Sequence, residues 1–241
     1  MRAETRHQMK QDRFSRATFE AAEATVHWSQ EHQSKLIAAA VAVIAIAAIA
    51  VGGWYYINTQ DEKASFDMAA AVRTMESQLR PPGTPAQPGL QSYESAAERA
   101  TEARKQFQAI ADKYPQTKTG KMARYFVGVT SAQLGDNVTA ERDLQEAADS
   151  SNSQLASLGK LALASVYRGE KKEAQALDLY KQLIDKPTEL VSKVQAQLEL
   201  ASVYESEQKL ADAKKIYQDI QKENPQSEAA SLAQRKIAQL K

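Results

Sequence analysis

The feature that most constrains this chain is an uninterrupted apolar run, Leu36–Ile57 (LIAAAVAVIAIAAIAVGGWYYI), 22 residues without a charged side chain. A helix of that length is about 33 Å long, against a hydrocarbon core of about 30 Å. Lipid offers no partner to backbone N–H and C=O groups, so a segment that crosses it alone must be helical. Trp54, Tyr55 and Tyr56 cluster at one end, where amphipathic rings favour the boundary between lipid and water, and Lys35 closes the other. The run is read as one transmembrane helix over 36–57, with a short segment, 1–35, before it and a long one, 58–241, after it. A cleavable secretory signal is the rival reading, because Ala48-Ile49-Ala50 has the A-x-A form. Against it, the run is long for such a signal and 35 residues of mixed charge precede it.

Charge sets the expected orientation. Arg2, Arg6, Lys10, Arg13, Arg16 and Lys35 lie before the run, and only Lys63 and Arg73 follow it closely. Basic residues favour the cytoplasmic side, so the expectation is a cytoplasmic N-terminus with residues 58–241 outside. Small residues recur within the run at Ala38, Ala42, Ala45, Ala48 and Gly52. Such spacing lets two helices approach closely, although in so alanine-rich a run it also arises by chance.

Composition removes several chemistries. The chain has no cysteine, so disulfides, thiolate zinc sites and a cysteine nucleophile are excluded. Its three histidines, His7, His27 and His32, all precede the apolar run. Residues 58–241 therefore lack the commonest metal ligands and the commonest general base. Charges after residue 57 balance, 25 basic against 25 acidic, and a neutral domain without a basic stripe is a poor nucleic-acid binder. No Gly-rich phosphate loop, nucleophile elbow or metal motif occurs. Acidic residues are expected on solvated helix faces beside lysines, as at Glu199 and Glu205–Lys209. The chain is read as non-catalytic, with no cofactor and no small-molecule substrate.

Along the chain, Phe14, Ala17, Ala21, Ala24 and Trp28 form a narrow seam that predicts a helix over 9–34, either docking on a partner or membrane surface or loosely ordered. The transmembrane helix is expected to continue to about Leu79, with Phe66, Met68, Ala69, Val72, Met75 and Leu79 as its apolar face. Residues 80–91 hold Pro81, Pro82, Pro85 and Pro88 and read as a flexible, polyproline-like loop.

From Ser92 the chain is helical and repeats. Four segments share one pattern: Ala103-x3-Phe107-x2-Ile110, Ala140-x3-Leu144-x2-Ala147, Ala176-x3-Tyr180-x2-Leu183 and Ala213-x3-Tyr217-x2-Ile220. The large residues 107, 144, 180 and 217 stand 37, 36 and 37 apart. The preceding helices align as Val127-Gly128-x2-Ser131, Leu163-Ala164-x2-Tyr167 and Leu200-Ala201-x2-Tyr204, with turns at Gly135-Asp136-Asn137, Gly169-Glu170-Lys171 and Ser206–Lys209. Tyr167, Tyr180, Tyr204 and Tyr217 are expected in the core. Ser227, following Pro225, is expected to cap a final helix over 227–240. Asn137-Val138-Thr139 has the form of a glycosylation sequon and is read as a turn, with Thr139 near a helix start.

This arrangement resembles the tetratricopeptide repeat, a helix hairpin of about 34 residues with L-G-x2-Y in its first helix and A-x3-F/Y in its second. The resemblance implies an all-α fold: a single N-terminal transmembrane helix, then an α-solenoid of such hairpins over 58–241, closed by the capping helix. It also implies a concave face lined by first helices. In that register the binding groove falls on Met122, Tyr125 and Val129; on Leu158, Leu161, Ser165 and Arg168; and on Gln195, Leu198, Ser202 and Glu205. Relatives that clamp chaperone carboxylates carry Lys and Asn where Tyr125, Leu161 and Leu198 stand, so an apolar groove for extended protein segments is expected instead.

The layout as a whole is similar to the ancillary subunit of the bacterial Sec translocon, the YfgM-type family. That resemblance implies a protein of the bacterial inner membrane with its repeat domain in the periplasm. It further implies a scaffold or chaperone for secreted and envelope proteins, whose partners are translocon components, a periplasmic prolyl isomerase and unfolded clients. The alternative is a scaffold in outer-membrane protein assembly or cell-envelope organisation.

Overall fold

The computed structural model describes residues 32–81, 83–85, 89–223 and 225–240. The seam from Phe14 to Trp28 lies outside them. The chain divides into two units, Met1–Tyr56 and Ile57–Lys241.

Helix α1 spans Gln33–Glu76. Within the first unit its apolar side chains lack protein cover: Ile49 is 75% and Trp54 67% exposed. The described residues contain one helix long and apolar enough to cross a membrane, and it is this one. An uncovered apolar surface on such a helix is compatible with a single-pass anchor.

The second unit is a stack of hairpins. After α1 come α2 (Ala96–Lys113), α3 (Lys118–Gln133), α4 (Asn137–Ala148), α5 (Ser153–Gly169), α6 (Glu173–Asp185), α7 (Lys193–Ser206), α8 (Leu210–Glu223) and α9 (Glu228–Gln239). From α2 onward packing runs between helices consecutive in the chain, with α3 also touching α5, as in a repeat solenoid. Side chains cap the helix starts: Ser95, Thr117, Asn152, Ser192 and Ser227 each accept a hydrogen bond from the first turn of the helix that follows. Asp136 caps α4 through the Thr139 N–H, which places Thr139 in a helix start.

The turns inside the hairpins are built alike. Gly135, Lys171 and Gln208 all have positive φ, at 77°, 60° and 60°. Asp136, Lys172 and Lys209 each donate a backbone N–H to the carbonyl five residues back, at Ser131, Tyr167 and Tyr204. This is the Schellman closure of a helix C-terminus.

Small-to-large contacts hold each hairpin together. Gly128 faces Leu144, while Ala164 and Ala201 share their clusters with Tyr180 and Tyr217. Tyr180 and Tyr217 are fully buried, whereas Tyr167 and Tyr204 are only half-buried at the edge of the core. Gly159 serves the joint between hairpins, because a Cβ there would meet the α4 backbone at Ala148 N, 2.4 Å away.

The first hairpin departs from expectation. Helix α1 ends at Glu76, not at Leu79, because Gln78–Leu79 (β1) pairs in parallel with Ser92–Tyr93 (β2). Arg80 donates its backbone N–H to Tyr93 O (2.8 Å), its guanidinium to Ser92 O, and pairs with Glu94 at 3.1 Å. Gln91 Nε2 returns to buried Thr74 Oγ1 at 3.0 Å. The proline loop is therefore pinned at its base. Met68, Val72 and Met75 pack on Phe107 and Ile110, but Phe66 and Leu79 are 80% and 48% exposed and Ala69 is exposed, so these three do not belong to the buried face.

Candidate functional site

A cleft of about 550 Å³ opens between the second and third hairpins. Tyr125, Val129 and Ala132 line it from α3, and Leu161, Ala162 and Ser165 from α5. Leu144 and Tyr180, both fully buried, close its floor, and exposed Gln133, Ser165 and Gly169 stand at its mouth. Glu199 and Asn137 add polar groups. The helix period explains the lining: Tyr125, Val129 and Ala132 recur at spacings of four and three on one face of α3.

Four residues expected in the groove, Tyr125, Val129, Leu161 and Ser165, meet in this cleft. The others stand elsewhere. Met122 is half-buried and Gln195 exposed, neither of them in the cleft lining. Leu158 packs into the cluster built on Tyr180 and Leu200. Leu198 packs against the cluster built on Tyr217 and Ile220. Arg168 pairs with Glu199 at 2.6 Å and donates to Ser202 Oγ at 3.1 Å. Glu205 accepts from Lys236 at 3.0 Å and from the Tyr217 hydroxyl at 2.9 Å. Glu199 and Glu205 thus tie neighbouring hairpins together and are not solvated partners of nearby lysines; Lys209 pairs with Glu207, not with Glu205.

These bridges explain why the cleft lies where it does. Arg168 and Glu205 hold the same place in their hairpins, 37 residues apart, and each carries a charge across to the next unit. The corresponding residue of the second hairpin is Ala132, and the counterparts of Glu199 and Ser202 are Ala162 and Ser165. Two alanines stand where the next junction has a guanidinium and a carboxylate. The space those long side chains would fill is left open. Sequence reasoning missed Ala132 and Ala162, although alignment of the repeats carried the signal.

The electrostatics are mild. Lys172 bridges Glu141 (2.6 Å) and Glu170 (2.7 Å) and lies 5.4 Å above the Tyr167 ring. Hydrogen bonds from Lys172 hold the Glu170 carboxyl below its ordinary range, and the two carboxylates raise the pKa of the Lys172 ammonium. Burial pushes the Tyr125 and Tyr180 phenols up. The Tyr180 hydroxyl is buried and makes no hydrogen bond among the described residues, although Arg168 stands close enough to offset part of that rise. No cluster of three or more His, Cys, Asp or Glu able to hold a metal ion occurs among the described residues.

No curated protein and no solved structure matches the chain. One family does: the model of the tetratricopeptide repeat-like domain covers residues 26–241, the whole hairpin stack together with the apolar helix before it. Domains of this kind generally bind other proteins and are generally non-catalytic. The apolar helix, the hairpin stack and the matched span together make the chain a member of the tetratricopeptide repeat-like domain family.

Proposed function

We propose that this chain is a non-catalytic, membrane-anchored scaffold or chaperone that holds extended segments of secreted or envelope proteins at the Sec translocon. Its repeat domain lies on the periplasmic side of a bacterial inner membrane, and the segments enter the groove of the first helices. The observation that carries this reading is the apolar cleft left open where Ala132 and Ala162 stand in place of the ion pair that joins the third hairpin to the fourth. The six basic residues before the apolar run, against two that follow it closely, support the orientation.

The test uses the cysteine-free full chain carrying Val138→Cys, a position 83% exposed. A membrane-impermeant maleimide should label it on intact spheroplasts, and crosslinking should co-purify translocon components or emerging envelope proteins. Labelling only after lysis would overturn the periplasmic placement. Labelling together with crosslinks to outer-membrane assembly factors alone would favour a scaffold there.

A further inference from the structure

The cleft between α3 and α5 says more about what enters it. We propose that it is an anchor pocket for one bulky apolar or aromatic side chain of an extended peptide, which carries a lysine or arginine beside that anchor. This rests on the reading above that the repeat domain binds extended segments, and it names the chemistry of the segment.

Three observations carry it. The cleft at Ala132 and Ala162, about 550 Å³ and open to solvent, has room for a bulky side chain, and its walls are Tyr125, Val129, Leu144 and Leu161. An apolar side chain buried there gains by leaving water, whereas a polar one finds few partners. The floor is closed by the fully buried Leu144 and Tyr180, so what enters meets the packed base of the core and not a polar group. Charge favours the basic neighbour. Glu199 at the cleft is neutralised by Arg168, but Glu141 and Glu170 share Lys172, leaving an excess carboxylate. Asn137, which lines the cleft, lies against Glu170, so the excess negative charge sits near the pocket. An acidic segment is disfavoured there, and a basic one is drawn in.

The experiment uses the full chain in lipid nanodiscs, with empty discs as control. Fluorescein-tagged host peptides, Ala-Ala-Ser-X-Lys-Ser-Ala-Ala with X as Phe, Leu or Ala, are titrated by anisotropy, and X as Phe is repeated with Glu in place of Lys. Reduced, carboxymethylated α-lactalbumin serves as a general unfolded probe. Phe and Leu peptides should bind about tenfold or more tightly than the Ala peptide. The Lys-to-Glu exchange should weaken binding severalfold at low salt and less at high salt. The double variant Ala132→Arg, Ala162→Glu rebuilds the junction used one hairpin later and should abolish the preference for Phe over Ala. Ser165→Tyr fills the exposed mouth of the cleft without touching the core and should do the same. Binding that ignores X, or that survives both variants unchanged, overturns the pocket while leaving a peptide-binding repeat domain in place. If neither the peptides nor the unfolded protein bind the wild-type chain, the pocket and the peptide-binding reading fall together.

Discussion

A Cβ added to Gly128 would stand 2.7 Å from Leu144 Cγ and 3.2 Å from its backbone nitrogen. Glycine here is a packing requirement of the α3–α4 hairpin and not a flexible point. In a free helix Gly128→Ala would gain about 1 kcal/mol in propensity. The overlap should cost more, about 1–3 kcal/mol, and leave a net loss. Urea unfolding of the full chain in micelles measures it. Leu144→Val placed on Gly128→Ala should recover part of the loss, and a cycle showing strictly additive effects would disprove the contact's role.

The three hairpin turns make a second prediction. Lys171 and Gln208 take the same left-handed conformation as Gly135, where a Cβ is unfavourable by about 1 kcal/mol or more. Lys171→Gly and Gln208→Gly should each stabilise the chain by about 0.5 kcal/mol, part of the relief being offset by the freer unfolded chain. Gly135→Ala should destabilise it by about 1 kcal/mol. Thermal unfolding read by circular dichroism decides, and a lower midpoint for Lys171→Gly would contradict the turn assignment.

How much of this was visible in the sequence depends on the physical range of each signal. Helices and turns could be read because a period near 3.6 and a recurrence of 36 or 37 residues are both local patterns. The β1–β2 pair could not: Gln78–Leu79 and Ser92–Tyr93 are too short for any alternation, and the Arg80 contacts that join them form only once the chain has turned back. Within the groove, Tyr125, Val129, Leu161 and Ser165 follow from repeat position alone. Arg168 and Glu205 occupy equivalent positions but are taken up by Glu199 and Lys236 of the following unit, a pairing that local spacing does not encode. Alanine at 132 and 162 gives no hydrophobic or charge signal, so the cleft is marked by what those residues lack relative to the next hairpin.

Tyr180 and Tyr217 are equivalent in the repeat and should respond oppositely to loss of the hydroxyl. The Tyr217 hydroxyl donates to Glu205, so Tyr217→Phe should cost about 1–2 kcal/mol at neutral pH. The Tyr180 hydroxyl is buried and makes no hydrogen bond among the described residues, so Tyr180→Phe should be neutral or stabilising. Equal losses from both variants in urea titrations would show that Tyr180 has a partner after all.

The same phenols predict the alkaline limb of stability. Burial raises the pKa of Tyr125, Tyr167, Tyr180 and Tyr217, with the hydrogen bond to Glu205 adding to the rise at Tyr217. A group whose pKa is higher folded than unfolded binds its proton more tightly in the native state. Its contribution is complete below the unfolded value, about 10 for tyrosine, and is lost as pH rises through the folded value. Stability should therefore be flat with respect to these groups at neutral pH and fall above about pH 10. Tyr217→Phe should flatten that fall, and an unchanged slope would mean that Tyr217 does not ionise on unfolding.

The anchor gives the last prediction. Ile46 lies near the middle of the apolar run and is 67% exposed, so the described residues give little cover to a charge placed there. Arginine at the centre of a spanning helix costs about 2.5–3.5 kcal/mol on insertion scales. Ile46→Arg should shift a measurable fraction of the chain from the membrane pellet to the soluble fraction, whereas Ile46→Leu should leave it in the membrane. Circular dichroism of the Arg variant's soluble fraction should still show the repeat helices, because none of the buried residues of the hairpin stack lies before Ala64. Full membrane retention of Ile46→Arg, resistant to carbonate extraction, would mean that residues 36–57 do not set the association by crossing the bilayer.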